Sequence, residues 1–248
     1  MHAMRVAVAP GRTMEVVGLG PLHGRPVLYL HGAGGTPLRG CAEARVAVGR
    51  AGVRLLCLSR PGFGGSSPQP GRRLGDHPSD VARVADALGL ERFALLGVST
   101  GGAHAAACAR ALGPRVVATA LSACCVPVGC ATVRAAAAAA SVAGYGCGAR
   151  GAGGLRNVLH DVRLAVTPWG FAPEEVGGEV HWWHGERDQL VALADAQAVA
   201  RRMPDCRFTI LAGEGHFFLR RHLGTMLARL VGAWDAQTSD PRELLSAS

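Results

Sequence analysis

The sequence predicts an α/β protein: a mostly parallel, eight-stranded sheet with helices on both faces and a small, reduced cap. Three observations point there. Short apolar runs of strand length recur along the chain, bounded by Gly, Pro and polar residues. Segments of helical character, about 10–15 residues each, separate most of these runs, as parallel pairing requires. The chain is 248 residues long, 49% hydrophobic and 18% charged, enough for one medium domain with a sizeable core.

The elements follow in order. Arg5–Ala9 and Met14–Leu19 flank Pro10-Gly11-Arg12 and read as two strands joined by a turn. Val27–Leu30 is a buried strand that runs into His31-Gly32, and Leu38–Arg50 is a helix candidate. Val53–Leu58 is a strand, followed by a Gly/Pro/Ser loop from Arg60 to Gly71. Pro78–Leu88 reads as a helix, with Pro at its start and Gly89 at its end. Phe93–Val98 is a strand, Ser99–Leu112 a helix stopped by Gly113-Pro114, and Val116–Leu121 a strand. From 123 to 166 Gly, Ala and Cys dominate and periodicity is poor, which suggests a small helical lid or a loosely ordered insertion. Val180–Trp183 and Phe208–Leu211 are strands, while Leu190–Met203 and Leu219–Trp234 are helices. The expected organisation is a core of residues 1–122 and 167–236, a reduced cap over 123–166 and a polar, flexible tail over 237–248.

Composition narrows the function classes. The net charge is +8, and all 26 basic side chains counted with it are arginines, scattered along the chain. No basic stripe or nucleic-acid module is visible, so no nucleic-acid partner is expected. No apolar run approaches the roughly 20 residues that span a bilayer, and the N-terminus is too short and polar for a signal peptide. A soluble cytoplasmic protein without a membrane partner is the expectation, its oligomeric state open. The eight cysteines form no Cys-x-x-Cys pair and read as reduced thiols. His181 and His184 flank Trp182-Trp183 and point to opposite faces of a strand, a poor metal pair. No metal site and no cofactor are expected.

The chemistry lies in Gly97-Val98-Ser99-Thr100-Gly101, a G-x-S-x-G pattern between a strand and a helix. The glycines leave room for a tight strand-to-helix turn. Ser99 is then thrust out at a helix N-terminus, where free N–H groups favour negative charge. A serine that merely caps the helix is the idle alternative. A hydroxyl needs a base, and His216 lies in a loop just past the strand Phe208–Leu211. The histidine needs a carboxylate on its other nitrogen. Asp188, just past Val180–Trp183, is preferred over Glu186 two residues earlier. The order Ser, Asp, His on three strand ends is a joint signal for a nucleophilic triad. Oxyanion donors are expected from the N–H of Thr100 and, after Val27–Leu30, from Ala33, with Gly34 second; each is worth roughly 3–4 kcal/mol. His31 should brace that loop through side-chain hydrogen bonds. His104, five residues beyond Ser99, is either a support to the site or a core histidine. Gly34, Phe63, Trp169 and Phe217 are candidate substrate-binding positions, although aromatics there are as often plain core.

At these residues the chain resembles the α/β-hydrolase fold superfamily, specifically serine-nucleophile members near the proline iminopeptidase and haloperoxidase-like branch. The matching stretches are RPVLYLHGAGG (25–35), LSRPGFGGSSPQPGRR (58–73), the segment 80–109, TPWGF (167–171), VHWWHGERDQLV (180–191) and LAGEGHF (211–217). The resemblance implies Ser99 as nucleophile, Asp188 as acid, His216 as base and Ala33 and Thr100 as oxyanion donors. Position 99 is Ser, which disfavours the branches with an Asp nucleophile. Two departures stand out. Relatives carry a longer helical cap, and the acidic groups that iminopeptidase-like members use for an amine have no counterpart here before Asp161. Many relatives also have a proline where Gly34 follows His31-Gly32-Ala33. The reaction expected is cleavage of an ester-like or activated carbonyl in a small molecule through an acyl-enzyme. A cofactor-free C–C hydrolase, lyase or perhydrolase would use the same triad, and a degenerate binding protein is a third possibility.

Overall fold

The computed structural model describes residues 2–33, 42–127 and 154–238. In chain order the elements are β1 (His2–Ala9), β2 (Arg12–Leu19), β3 (Arg25–Leu30), α1 (Ala42–Ala51), β4 (Val53–Leu58), α2 (His77–Ala87), β5 (Phe93–Val98), α3 (Thr100–Leu112), β6 (Val116–Ser122), α4 (Gly154–Val166), β7 (Glu179–Gly185), α5 (Leu193–Ala200), β8 (Cys206–Leu211) and α6 (Leu219–Thr238). The strands form one eight-stranded sheet in the order β1-β2-β4-β3-β5-β6-β7-β8. Pairing is antiparallel from β1 to β2 and from β2 to β4, and parallel elsewhere.

Strand periodicity of two distributes side chains to both faces. Leu28 and Leu30 of β3, Leu56 and Leu58 of β4, and Phe93 and Leu95 of β5 enter one core, with Val81 and Val84 of α2, Ala103 and Ala106 of α3, Val158 and Val162 of α4, and Ala196 of α5. Val27 and Tyr29, Leu55 and Cys57, and Ala94 and Leu96 enter the other, against Val48 of α1 and Leu223, Leu227 and Leu230 of α6. The central strands therefore carry apolar residues on both faces through most of their length, as a sheet covered on both sides demands.

The chain leaves β3, turns to β4 on one side, and returns to β5 on the other. That reversal opens a crevice at the carboxyl ends of β3 and β5. Residues 31–33 and Ser99 lie there.

Three elements differ from the sequence expectation. Helix α5 spans Leu193–Ala200 rather than Leu190–Met203. The N–H groups of Leu190 and Val191 donate to Asp188 Oδ1 and are held out of the helix. Gln237, read as the start of the tail, still belongs to α6, where its Nε2 donates to Val117 O at 2.9 Å. Within 123–166, residues 154–166 form an ordered helix that buries Val158, Asp161, Val162, Ala165 and Val166 and packs on α3. Gly34, residues 128–153 of the expected cap and the tail from 239 lie outside the described residues. Among the described residues, no helix is long and apolar enough to cross a membrane.

Candidate active site

The turn from β5 into α3 is forced by close contacts. A Cβ on Gly97 would stand 2.6 Å from Gly101 O, and one on Gly101 would stand 2.1 Å from Leu30 O. Glycine alone lets the start of α3 press onto the end of β3. Ser99 takes φ 53°, ψ −120° at the apex, a left-handed conformation that costs a non-Gly residue on the order of 1–3 kcal/mol. Neighbours hold it there. Its N–H donates to Ser122 O at 2.9 Å, and its carbonyl accepts from Gly102 and Cys125 N–H, each at 3.0 Å.

The loops after β7 and β8 bring the other two candidates to the hydroxyl. His216 Nε2 lies 2.9 Å from Ser99 Oγ, and His216 Nδ1 lies 2.8 Å from Asp188 Oδ2. The two loops are tied together. Arg187 N–H donates to Glu214 O, and Gly213 N–H to Glu186 Oε2, both at 2.8 Å. Glu186, the competing acid, is thus a brace for the His216 loop, and the histidine faces Asp188. Burial pushes the Asp188 carboxyl up, but the His216 ring and the N–H groups of Val191 and Leu190 more than offset this and hold it below its ordinary value. An ionised Asp188 favours the His216 tautomer with Nδ1–H toward it, which leaves Nε2 as the acceptor of a hydrogen bond from the Ser99 hydroxyl.

A loop and a buried ionic cluster back Ser99. Gly32 lies against Ser99: a Cβ there would stand 3.2 Å from Ser99 Cβ. His31 is buried, with Nδ1 2.8 Å from Gly32 O, and its Nε2 accepts the Arg60 N–H at 3.1 Å. These bonds specify a neutral ring, and burial, followed by the Arg60 charge, lowers its pKa to about 3. Arg60 is itself fully buried. Its guanidinium donates to His31 O, Gly32 O, Thr100 Oγ1 and Asp161 Oδ2. Arg72 takes the other Asp161 oxygen. Burial penalises the Asp161 charge, yet Arg60, His104 and Arg72 hold its pKa well below normal.

The remaining candidates divide. Ala33 is half-buried at the end of the described loop. Phe217 is exposed and meets His216 edge-on, with ring centroids 5.1 Å apart. Phe63 is buried beneath His31, and Trp169 is buried with Nε1–H donating to Ala165 O. Both are buried and belong to the hydrophobic core cluster. His104 is a core residue 3.7 Å from Asp161 Oδ1.

Sequence reasoning missed Arg60, Arg72 and Asp161, and also two neighbours of the triad. The Cys125 thiol lies 3.6 Å from Ser99 Oγ, and burial raises its pKa to about 11, keeping it protonated. His184 Nε2 is 3.0 Å from Val191 O and 3.4 Å from Asp188 Oδ2. Arg60, Arg72, Asp161 and Cys125 carry no local signal, since each depends on a partner distant in the chain, while the partners of His184 are near neighbours, Asp188 and Val191. Among the described residues, no group of three or more His, Cys, Asp or Glu could hold a metal ion.

Known proteins share this architecture. Residues 25–125 match the family described as alpha/beta hydrolase fold. A serine hydrolase-like protein of Danio rerio is 38% identical over 86 residues, 34% of this chain and 26% of that protein, so the match spans about a quarter of the relative's length. A bromoperoxidase from Bacillus anthracis superposes with a TM-score of 0.76 at 16% identity, covering 94% of this chain and 100% of the other. An esterase from Exiguobacterium antarcticum gives 0.77 at 17% identity, covering 93% and 100%.

Proposed function

This chain has the alpha/beta-hydrolase fold, and on that premise we propose that it is a serine hydrolase that cleaves an ester-like or otherwise activated carbonyl of a small molecule through an acyl-enzyme. The observation that carries the reading is the continuous path from Ser99 Oγ through His216 to Asp188, at 2.9 and 2.8 Å. His216 takes the Ser99 proton as the oxygen attacks the carbonyl carbon. The tetrahedral oxyanion receives hydrogen bonds from Thr100 N–H, at the start of α3, and from Ala33 N–H. His216 then gives its proton to the leaving group. In the second half it activates water, and the acid is released with Ser99 restored.

The test is covalent. A serine-reactive fluorophosphonate should add one phosphonyl mass to the intact protein, located by peptide mapping at Ser99, and Ser99→Ala should stay unlabelled. An unlabelled wild type, or a labelled Ser99→Ala protein, refutes the reading. The names of two relatives, esterase and serine hydrolase-like, agree with it. The division into a core and a reduced cap over 123–166 stays part of the proposal, and α4 carries Asp161 into the buried cluster with Arg60 and Arg72.

A further inference from the structure

We propose that Arg60 is a positioning residue for the oxyanion hole: it fixes peptide 32–33 so that Ala33 N–H faces the oxygen that becomes negative at Ser99. The inference rests on the acyl-transfer reading and deepens it.

The geometry of one peptide unit carries the argument. Peptide 32–33 is trans, since no cis peptide bond occurs among the described residues, so its C=O and N–H point in opposite directions. The Gly32 carbonyl has two side-chain partners, His31 Nδ1 at 2.8 Å and Arg60 Nη2 at 3.2 Å. Arg60 Nη1 also donates to the preceding carbonyl, His31 O. Both carbonyls are therefore turned toward a side chain that is buried completely. The N–H that follows Gly32 must project away from the guanidinium, and Gly32 itself lies against Ser99. An oxyanion hole gains most when its donors need no reorganisation, and a loop this rich in glycine has no intrinsic preference for one peptide orientation.

Two further features suit the role. A cationic donor on a C=O polarises the peptide and strengthens its N–H as a donor. Arg60 also reaches Thr100 Oγ1 at 3.3 Å, so one guanidinium spans both sources of oxyanion donors. Only a planar fork can engage Asp161, His31 O, Gly32 O and Thr100 together; a lysine offers a single nitrogen. Among the described residues, Arg60 and Arg72 share the Asp161 carboxylate, which leaves excess positive charge beneath the loop where negative charge develops.

Three proteins and one structure test this. Arg60→Met removes the guanidinium while Asp161 stays neutralised by Arg72, and Arg60→Lys keeps the charge but not the fork. With p-nitrophenyl acetate, Arg60→Met should lose about 30- to 300-fold in kcat, with KM within about threefold and the shape of the pH profile kept, and Arg60→Lys should lose about tenfold. A folded variant with kcat within threefold of wild type overturns the inference, as does a loss carried by KM. Should the variants fail to fold, a crystal structure of phosphonylated wild type decides. Ala33 N at about 2.7–3.2 Å from the phosphonyl oxygen, with Gly32 O still on Arg60, supports it; a flipped peptide that turns Gly32 O toward the phosphonyl group overturns it. Failure of wild type to take up phosphonate at all sinks the acyl-transfer reading instead, and this inference with it.

Discussion

Two polar constellations flank the first turns of α3, and they solve opposite problems. Ser99, His216 and Asp188 form a chain of bonds with one open end, at the half-buried Ser99. Arg60, Asp161 and Arg72 form a knot with no open end, every side chain buried and the carboxylate shared between two cations. In the proposed mechanism the first passes the Ser99 proton to His216 and takes it back. The second cannot do so, because its permanent charges lock one another in place. Under the proposed function, the comparison teaches that burial of charge would serve catalysis in two ways: by making a proton transferable, and by making a loop immovable.

The largest effect should come from breaking the open chain. Ser99→Ala is expected to lower kcat for ester hydrolysis by about 10⁴- to 10⁶-fold while the protein stays folded. Steady-state assays and circular dichroism check both halves. The backbone at φ 53° sharpens the point. Ser99→Gly relieves the strain and should be more stable than Ser99→Ala by about 1 kcal/mol, although both are inactive.

Breaking the closed knot should do the reverse. Asp161→Ala leaves two buried guanidinium groups unneutralised and is expected to cost about 3–5 kcal/mol of stability. Asp188→Asn should cost activity, about 10²- to 10⁴-fold, with a much smaller loss of stability. Urea unfolding of the two proteins side by side is the measurement. Equal destabilisation would erase the distinction between the constellations.

Acidification probes the knot's neutral members. Burial lowers the pKa of His31 to about 3 and of His104 to about 4, and that of His77 well below normal. The unfolded chain then binds protons first as the pH falls below about 6.5. Stability is full above that pH and declines toward the folded-state values, by on the order of 2 kcal/mol for each imidazole at pH 5. Asp161 adds a loss of the same sign at lower pH: its contribution is full above the unfolded pKa of about 3.9 and is lost progressively as the pH falls from there toward its depressed folded value. Urea midpoints at pH 7.5 and 5 should show the decline, and His104→Phe should flatten it.

The two constellations were not equally legible in the sequence. Strand ends announce themselves, because apolar runs stop at glycines and polar loops. Ser99, Asp188 and His216 each follow such an end, and the structure brings them together. Arg60 and Asp161 are 101 residues apart and join a Gly/Pro/Ser loop to a stretch that follows a long Gly/Ala/Cys region. No spacing rule connects them, and a buried arginine runs against every compositional expectation. The pattern of Val158, Val162, Ala165 and Val166 in α4 was present all along, but the bland residues before it hid the helix. Phe63 and Trp169 were ambiguous in another way: an aromatic near a motif reads equally as pocket wall or as core, and in the structure both rings are buried among core residues.

The smallest expected effect concerns the choice between two carboxylates. Glu186 precedes Asp188 by two residues and follows the same strand, so sequence alone kept it as a rival. Its Oε2 accepts Gly213 N–H at 2.8 Å, at the base of the loop that carries His216. Glu186→Gln retains an acceptor oxygen there, so the loop keeps its bond and only the charge is lost. Activity on p-nitrophenyl acetate should change by less than about threefold, and stability by a few tenths of a kcal/mol, as for a neutral replacement at an exposed hydrogen bond. A fall approaching that of Asp188→Asn would mean that Glu186 takes over the imidazole during turnover, and the path from Ser99 to Asp188 would then be a resting arrangement rather than the working one.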